Sequence, residues 1–227
     1  MKKIIDITGT MQDGMWGYEA PFPSFSIRPL PPVPWVKGPV YCELFEGMHS
    51  QTGTYLETPA HFYGTEKSYP LIEVPVEKLI DLPCVVLNLG NWNMDAARGR
   101  RGITVEDLER CPNAGDIRPG DAILLGTGWG RYWMDADYLN LSPFITRDAM
   151  RWLISKKPFM LGGDSARWEN LEKPEGIFPD FYAADILMIG PAVGLEACGA
   201  ARSRLTVLPL KIPRTSCTPC RAVVIEE

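Results

Sequence analysis

Residues 48–64 read Met-His-Ser-Gln-Thr-Gly-Thr-Tyr-Leu-Glu-Thr-Pro-Ala-His-Phe-Tyr-Gly, a short stretch dense in side chains that can do chemistry. Gln51, Tyr55, Glu57 and His61 follow one another at intervals of four, two and four, with Gly53 and Pro59 punctuating the chain. As a set they suit proton transfer. His61 is an imidazole that titrates near neutral pH, Glu57 is a carboxylate able to orient it, and Tyr55 is a phenol able to donate to an oxyanion. The same residues also fit a polar surface loop, and their types alone leave both readings open. His49 and His61 are the only histidines, which excludes any mechanism that needs three or four imidazoles. His49 itself reads as a peripheral histidine bonded to backbone.

Other polar and aromatic residues are weaker candidates. Asp164 and Ser165 follow the apolar run Phe159 to Leu161, at a strand end where side chains reach pockets, although Asp164 is equally suited to capping the turn. Trp129 and Trp133 could line a cleft for an aromatic ring or simply fill a core. Trp16 and Trp35 sit on a proline-rich stretch and are candidates for a lid. Arg221 reads as structural. The Cys217-Thr218-Pro219-Cys220 motif has no partner pair for a zinc site. All six cysteines therefore read as reduced, partly buried thiols.

The elements that must position these groups are short. Ile4 to Ile7 reads as a first strand. Residues 15–41 are rich in proline and aromatics, so they can be neither helix nor central strand. They read as an ordered extended arm packed on the site mouth or on a neighbouring subunit. Val40 to Phe45 and the β-branched run Cys84 to Leu89 read as strands, as does Ala122 to Gly126. Thr104 and Thr146 are N-caps of two helices, the second running from Arg147 to Ser155 with an apolar face of Ala149, Met150, Leu153 and Ile154. Leu205 to Ile212 and Arg221 to Ile225 read as strands joined by a Pro/Cys turn. The pattern is mixed α/β without regular βαβ alternation.

The 227 residues suffice for one large domain with its own core, 1–227. Lys and Arg number 23 against 28 Asp and Glu, a formal net charge of −5. That balance argues against binding to nucleic acid or a membrane surface, both of which call for a basic face. No run approaches a membrane span, and the N-terminus lacks the apolar core of a signal peptide, so a cytoplasmic location is expected.

The segment 51–61 resembles the signature H-x-G-T-H-x-D-x-P-x-H of the cyclase-like hydrolase family, which includes bacterial kynurenine formamidases and isatin hydrolases. Gly53, Thr54, Pro59 and His61 match it, Glu57 stands where the Asp belongs, and Gln51 and Tyr55 stand where two metal-binding His belong. The likeness continues through Ile4-Ile5-Asp6-Ile7-Thr8, Thr127-Gly128-Trp129, Gly162-Gly163-Asp164-Ser165, Leu208-Pro209-Leu210-Lys211 and Pro219-x-Arg221-Ala222. The resemblance implies a single-domain α/β protein with the family's swivelling β/β/α fold, a small-molecule substrate, and assembly into a homodimer or homotetramer. It also implies a divalent metal at these positions and places Asp164 and Ser165 beside the site. In relatives a further Glu serves a second metal, and Glu172, Glu175 and Glu196 lie in that region. The substitutions make the metal site degenerate. Glu57 and Gln51 would give an oxygen-rich, weak site suited to manganese or magnesium more than zinc, or no site at all.

Three functions stay open at this level. The first is a hydrolase of a small amide, cyclic amide or lactone with an altered or absent metal, with His61, Glu57 and Tyr55 catalytic and Trp129, Asp164, Ser165 and Trp16 holding substrate. The second is a metal-free acid/base enzyme, an isomerase, dehydratase or cyclase, using His61, Tyr55 and Glu57. The third is a non-catalytic family member that binds a small molecule.

Overall fold

Along the chain of the computed structural model, which describes residues 2–227, strands β1 (Lys3–Asp6), β2 (Ser26–Pro29), β3 (Glu43–Glu46) and β4 (Tyr55–Glu57) precede a single helical turn, α1 (Ala60–Tyr63). Then come β5 (Leu82–Asn88), β6 (Gly102–Ile103), α2 (Val105–Glu109), β7 (Ala122–Gly126), β8 (Phe144–Ile145), α3 (Arg147–Ser155) and β9 (Met160–Gly163). The chain finishes with α4 (Ile177–Ala183), β10 (Leu187–Gly190), β11 (Ser203–Pro209) and β12 (Cys217–Glu226). No described helix is long and apolar enough to cross a membrane.

The main sheet runs β12-β11-β5-β7-β9-β10-β4 and closes on itself where β4 pairs with β12, giving a seven-strand barrel in a mixed α/β domain. Strand β12 is long enough to make the closure. One edge pairs with β11 through residues 220–225, while the other takes β4 at 217–219 and β1 at 223–226. Strand parity then divides the side chains. Cys84, Val86, Leu124, Ile189, Leu56, Val207 and Val224 fill the barrel interior. Val85, Leu87, Ile123, Leu125, Leu161 and Met188 point outward and pack on Leu108 of α2, Met150 and Leu153 of α3 and Phe181 of α4. β5, β7, β9 and β10 are parallel neighbours and are buried on both faces, hence their continuous apolar runs.

Both predicted caps form. Thr104 closes a reciprocal capping box with Asp107, and the Thr146 hydroxyl accepts from the Ala149 amide. Other expectations need correction. Within the main sheet, helices α2, α3 and α4 separate β5, β7, β9 and β10, a partial alternation that was missed because α4 and β10 went unread. Pro179 masks α4 in the sequence, yet it sits in the first turn, where the missing N–H has no helical partner to lose. Nor is there a Pro/Cys turn. Cys217 to Cys220 belong to β12, whose ladder survives Pro219 because the Cys220 amide donates to Thr54 O. The arm is ordered, and within it β2 pairs with β3 as a projecting ribbon whose tip exposes Trp35 and Tyr41. Trp35 is thus far from a packed lid.

Candidate active site

β4 carries the site because it lies between two other strands at the barrel seam. Leu56 points into the barrel, so Tyr55 and Glu57 share the opposite face. Antiparallel register places Met188 of β10 and Cys217 of β12 directly across from Glu57, and Gly190 and Pro219 across from Tyr55. Immediately after β4, Thr58 ties the chain down, its amide to Ser216 O and its hydroxyl to Tyr69 O. The single turn of α1 then folds His61 back over Glu57.

Four groups meet there. His61 Nε2 lies 4.0 Å from Glu57 Oε2, and His61 Nδ1 lies 3.8 Å from Cys217 Sγ. From α4, the Tyr182 hydroxyl donates to Glu57 Oε1. Glu57 Oε2 is buried and has no hydrogen-bond partner among the described residues. Burial pushes the Glu57 carboxyl up to about 8 despite the Tyr182 donation. Burial also raises the Cys217 thiol to about 11 and lowers His61 from its usual range. Glu57, His61 and Cys217 each offer a ligand atom, and these atoms lie within 4.8 Å of one another.

Gln51 and Tyr55 are engaged elsewhere. The Gln51 side-chain amide donates to the Tyr55 hydroxyl, which shares a 3.1 Å hydrogen bond with Tyr18; Tyr18 donates to Ala166 O. Since Tyr18 has one proton and spends it on Ala166, the Tyr55 proton points to Tyr18. Burial, with neighbouring Tyr18 and Glu57, holds the Tyr55 phenol well above its ordinary value, so it stays neutral. A neutral phenol and an amide N–H are poor donors to a cation, and neither position replaces the lost imidazoles.

The corner opens onto a cavity of about 380 Å³, with Gln51, Tyr55 and His61 in its wall. Phe62, Tyr182 and Phe178 form one side as a stack of nearly parallel rings, at 5.3 Å and 11° and then 5.8 Å and 21° between centroids and planes. Tyr18 and Phe22 of the arm form the opposite rim, and the loop 165–169 completes it. The arrangement suits a flat apolar body with its polar end at His61, the one member of the corner trio that reaches the cavity wall, with Glu57 and Cys217 buried behind it.

Of the expected substrate-binding residues, Ser165 lines this cavity. The others do not. The Trp129 indole donates to Tyr138 O inside a separate aromatic cluster with Trp16 and Trp133. Trp16 meets Tyr18 edge-on from behind, at 5.4 Å, and supports the wall without forming it. Asp164 is spent on the Thr127 amide and hydroxyl and on the Trp129 amide, holding the turn after β7; burial raises it to about 6. His49 packs on Phe22 and accepts from the Gln51 amide. None of Glu172, Glu175 and Glu196 lines the cavity. Sequence reasoning missed Cys217 and Tyr182, because only strand register brings the first to Glu57 and only the unread α4 brings the second.

The family model described as "Putative cyclase" matches residues 5–170. Among solved structures, the fold is similar to that of an isatin hydrolase bound to the product analogue thioisatinate. That pair is 20% identical, with a TM-score of 0.79, over 99% of this chain and 92% of the other. Isatin hydrolase A from Ralstonia solanacearum is likewise 20% identical, with a TM-score of 0.77, over 100% and 92%. A protein from Bacillus stearothermophilus described as a "predicted metal-dependent hydrolase" is 22% identical, with a TM-score of 0.74, over the full length of both chains. No curated protein matches the sequence.

Proposed function

The chain belongs to the cyclase family, and on that premise we propose that it hydrolyses a small amide, cyclic amide or lactone carried on a flat apolar body. The reacting end of that substrate sits where Glu57, His61 and Cys217 converge. The observation that carries this reading is the buried, partnerless Glu57 Oε2 beside an imidazole and a thiol, behind the His61 wall of an aromatic cavity. An orphaned buried acceptor costs about 1–3 kcal/mol, more for a charged group. Solved neighbours described as isatin hydrolases support the amide reading, isatin being a cyclic amide fused to an aromatic ring.

A divalent cation fits this corner although it does not fit positions 51 and 55. Carboxylate oxygen, imidazole nitrogen and thiol sulfur form a mixed donor set of the kind zinc accepts. The thiol moves the preference from the expected manganese or magnesium toward zinc. When bound, such a cation supplies a water of near-neutral pKa and polarises the scissile carbonyl.

The chain's own groups do the rest. Tyr182 holds Glu57 Oε1 and so aims Oε2 at the corner. The chain of hydrogen bonds from Gln51 through Tyr55 and Tyr18 keeps two neutral phenols at the wall. A rotated hydroxyl there can donate to the substrate oxygen on which charge develops. The stacked rings of Phe62, Tyr182 and Phe178 orient a planar ligand and exclude water.

Metal analysis of protein purified without chelator, followed by hydrolysis assays on aryl amides, lactams and lactones, tests the reading. Bound zinc, with turnover lost to chelator and restored by zinc, is the expected result. Turnover indifferent to chelator but lost in His61→Ala would favour the metal-free acid/base enzyme instead. Ligand-dependent thermal stabilisation without turnover, unchanged in His61→Ala, would favour a binding protein.

A further inference from the structure

Among the described residues, Arg167 is the only Lys or Arg in the cavity wall. Its backbone is fixed. The Arg167 amide donates to Ser142 Oγ, and the neighbouring Arg100 guanidinium donates to the carbonyls of Ser142, Pro143, Arg167 and Glu169. Arg100 is therefore consumed by the loop, whereas Arg167 is not. The Arg167 guanidinium meets Asn140 Oδ1 at 3.5 Å and one carboxylate, Glu19. The other acid in the wall, Glu169, is unavailable, since its oxygens accept from the amides of Asn170, Glu175, Gly176 and Ile177.

The two partners of the Arg167–Glu19 pair are unequally held. The Arg167 side chain is 15% exposed and that of Glu19 is 64% exposed. Glu19 opens the 19–22 turn of the arm, between Tyr18 and Phe22, so the pair bridges the two rims of the cavity. The Glu19 carboxylate is the solvent-facing partner and is rehydrated on release, so exchanging it for another anion leaves no buried charge unpaired. A carboxylate delivered from the less solvated cavity side gains more, because guanidinium and carboxylate match in a planar, two-bonded fork.

We propose that Arg167 is an anion subsite and that the ligand carries a carboxylate, which displaces Glu19 from the guanidinium when it binds. Glu19 is then an internal stand-in for the ligand anion. The substrate class narrows to an acylated or cyclised aromatic carboxylate, with the carboxylate at the arm side of the cavity and the scissile bond at Glu57, His61 and Cys217. This inference rests on the cavity being the substrate site.

Calorimetric titration with benzoate and with its neutral counterpart benzamide tests it without turnover. Wild type is expected to favour benzoate by about tenfold or more, roughly 1.4 kcal/mol. Arg167→Gln should lose that preference while still binding benzamide, which shows the pocket intact. Glu19→Gln should strengthen benzoate several-fold and leave benzamide unchanged. A wild type that binds benzoate no better than benzamide overturns the proposal. So does a preference that survives in Arg167→Gln, since the carboxylate would then sit at the Glu57 corner. If Arg167→Gln binds neither probe, Glu19→Gln decides: weaker or unchanged benzoate binding refutes a stand-in. Hydrolysis could fail with this binding pattern intact, and the pattern could fail with hydrolysis intact, so the two readings fall separately.

Discussion

Replacing Glu57 with glutamine probes the electrostatic state of the corner. The side chain is fully buried, one oxygen lacks a partner, and burial lifts the carboxyl to about 8 from an ordinary 4.5. The folded pKa lies above the unfolded one, so the native metal-free protein holds the proton more tightly than the unfolded chain does. Stability therefore falls as pH rises from about 4.5 to about 8 and is level beyond that. The gap is 8 minus 4.5, about 3.5 pH units, equivalent to about 5 kcal/mol at ~1.4 kcal/mol per unit. Glutamine keeps the shape and never ionises. In chelator-treated protein, Glu57→Gln should lie within about 1 kcal/mol of wild type at pH 5 and exceed it by roughly 3–4 kcal/mol at pH 8.5. Urea unfolding of both proteins across that range reads the difference directly. Zinc should narrow the variant's lead, because only the carboxylate anchors it. At a hundredfold excess over Kd, wild type would gain about 2.7 kcal/mol and the variant far less. A variant-minus-wild-type difference that stays flat from pH 5 to 8.5 would refute the reasoning.

Glu226 has the opposite sign. Burial raises its carboxyl, but the amides of Ala200 and Gly199 and the ammonium of Lys3 outweigh burial and hold it below its usual range. Its contribution is present above the unfolded pKa and lost as pH falls through the folded one. Glu226→Gln should thus cost about 1–2 kcal/mol at pH 7, with the two melting curves converging in acid; a gap that persists at pH 2.5 argues otherwise. Gly162→Ala would put a Cβ 2.5 Å from both Ile189 Cγ2 and the Ile189 carbonyl oxygen, where β9 meets β10. A loss of about 1–3 kcal/mol or more is expected in denaturant, and a change under 0.5 kcal/mol would mean that the two strands part more readily than the packing implies. The β2–β3 ribbon leaves Trp35 80% and Tyr41 84% exposed, and two strands alone are marginally stable in water. Light scattering should show a dimer or tetramer that Trp35→Ser with Tyr41→Ser converts to a smaller species; a monomeric wild type contradicts this.

Much of the scaffold was legible because its signals are local. Thr104 and Thr146 announce helix starts through side-chain caps that depend on neighbouring residues only. Ala122 to Gly126 announces a strand buried on both faces through an uninterrupted apolar run. α4 stayed hidden because Pro179 reads as a breaker unless its place in the first turn is known, and β10 went unread with it. The tryptophans misled for a related reason. Trp129 and Trp16 are large enough to fill either a cleft or a core, and only packing shows that both belong to the cluster behind the cavity.

For the site, the chain itself determined that Tyr55 and Glu57 share a face once 55–57 is a strand, and that His61, one helical turn on, can fold back toward Glu57. It also determined that no imidazole is left for positions 51 and 55. Tertiary structure decided what those residues face. Closing the barrel through β4 and β12 sets Cys217 opposite Glu57 and near His61, and packing α4 on the outer wall brings Tyr182 onto the same carboxylate. Strand parity is a property of adjacent peptide units and is written in sequence. Register between distant strands is a property of the whole closed sheet, settled only when every strand has a partner.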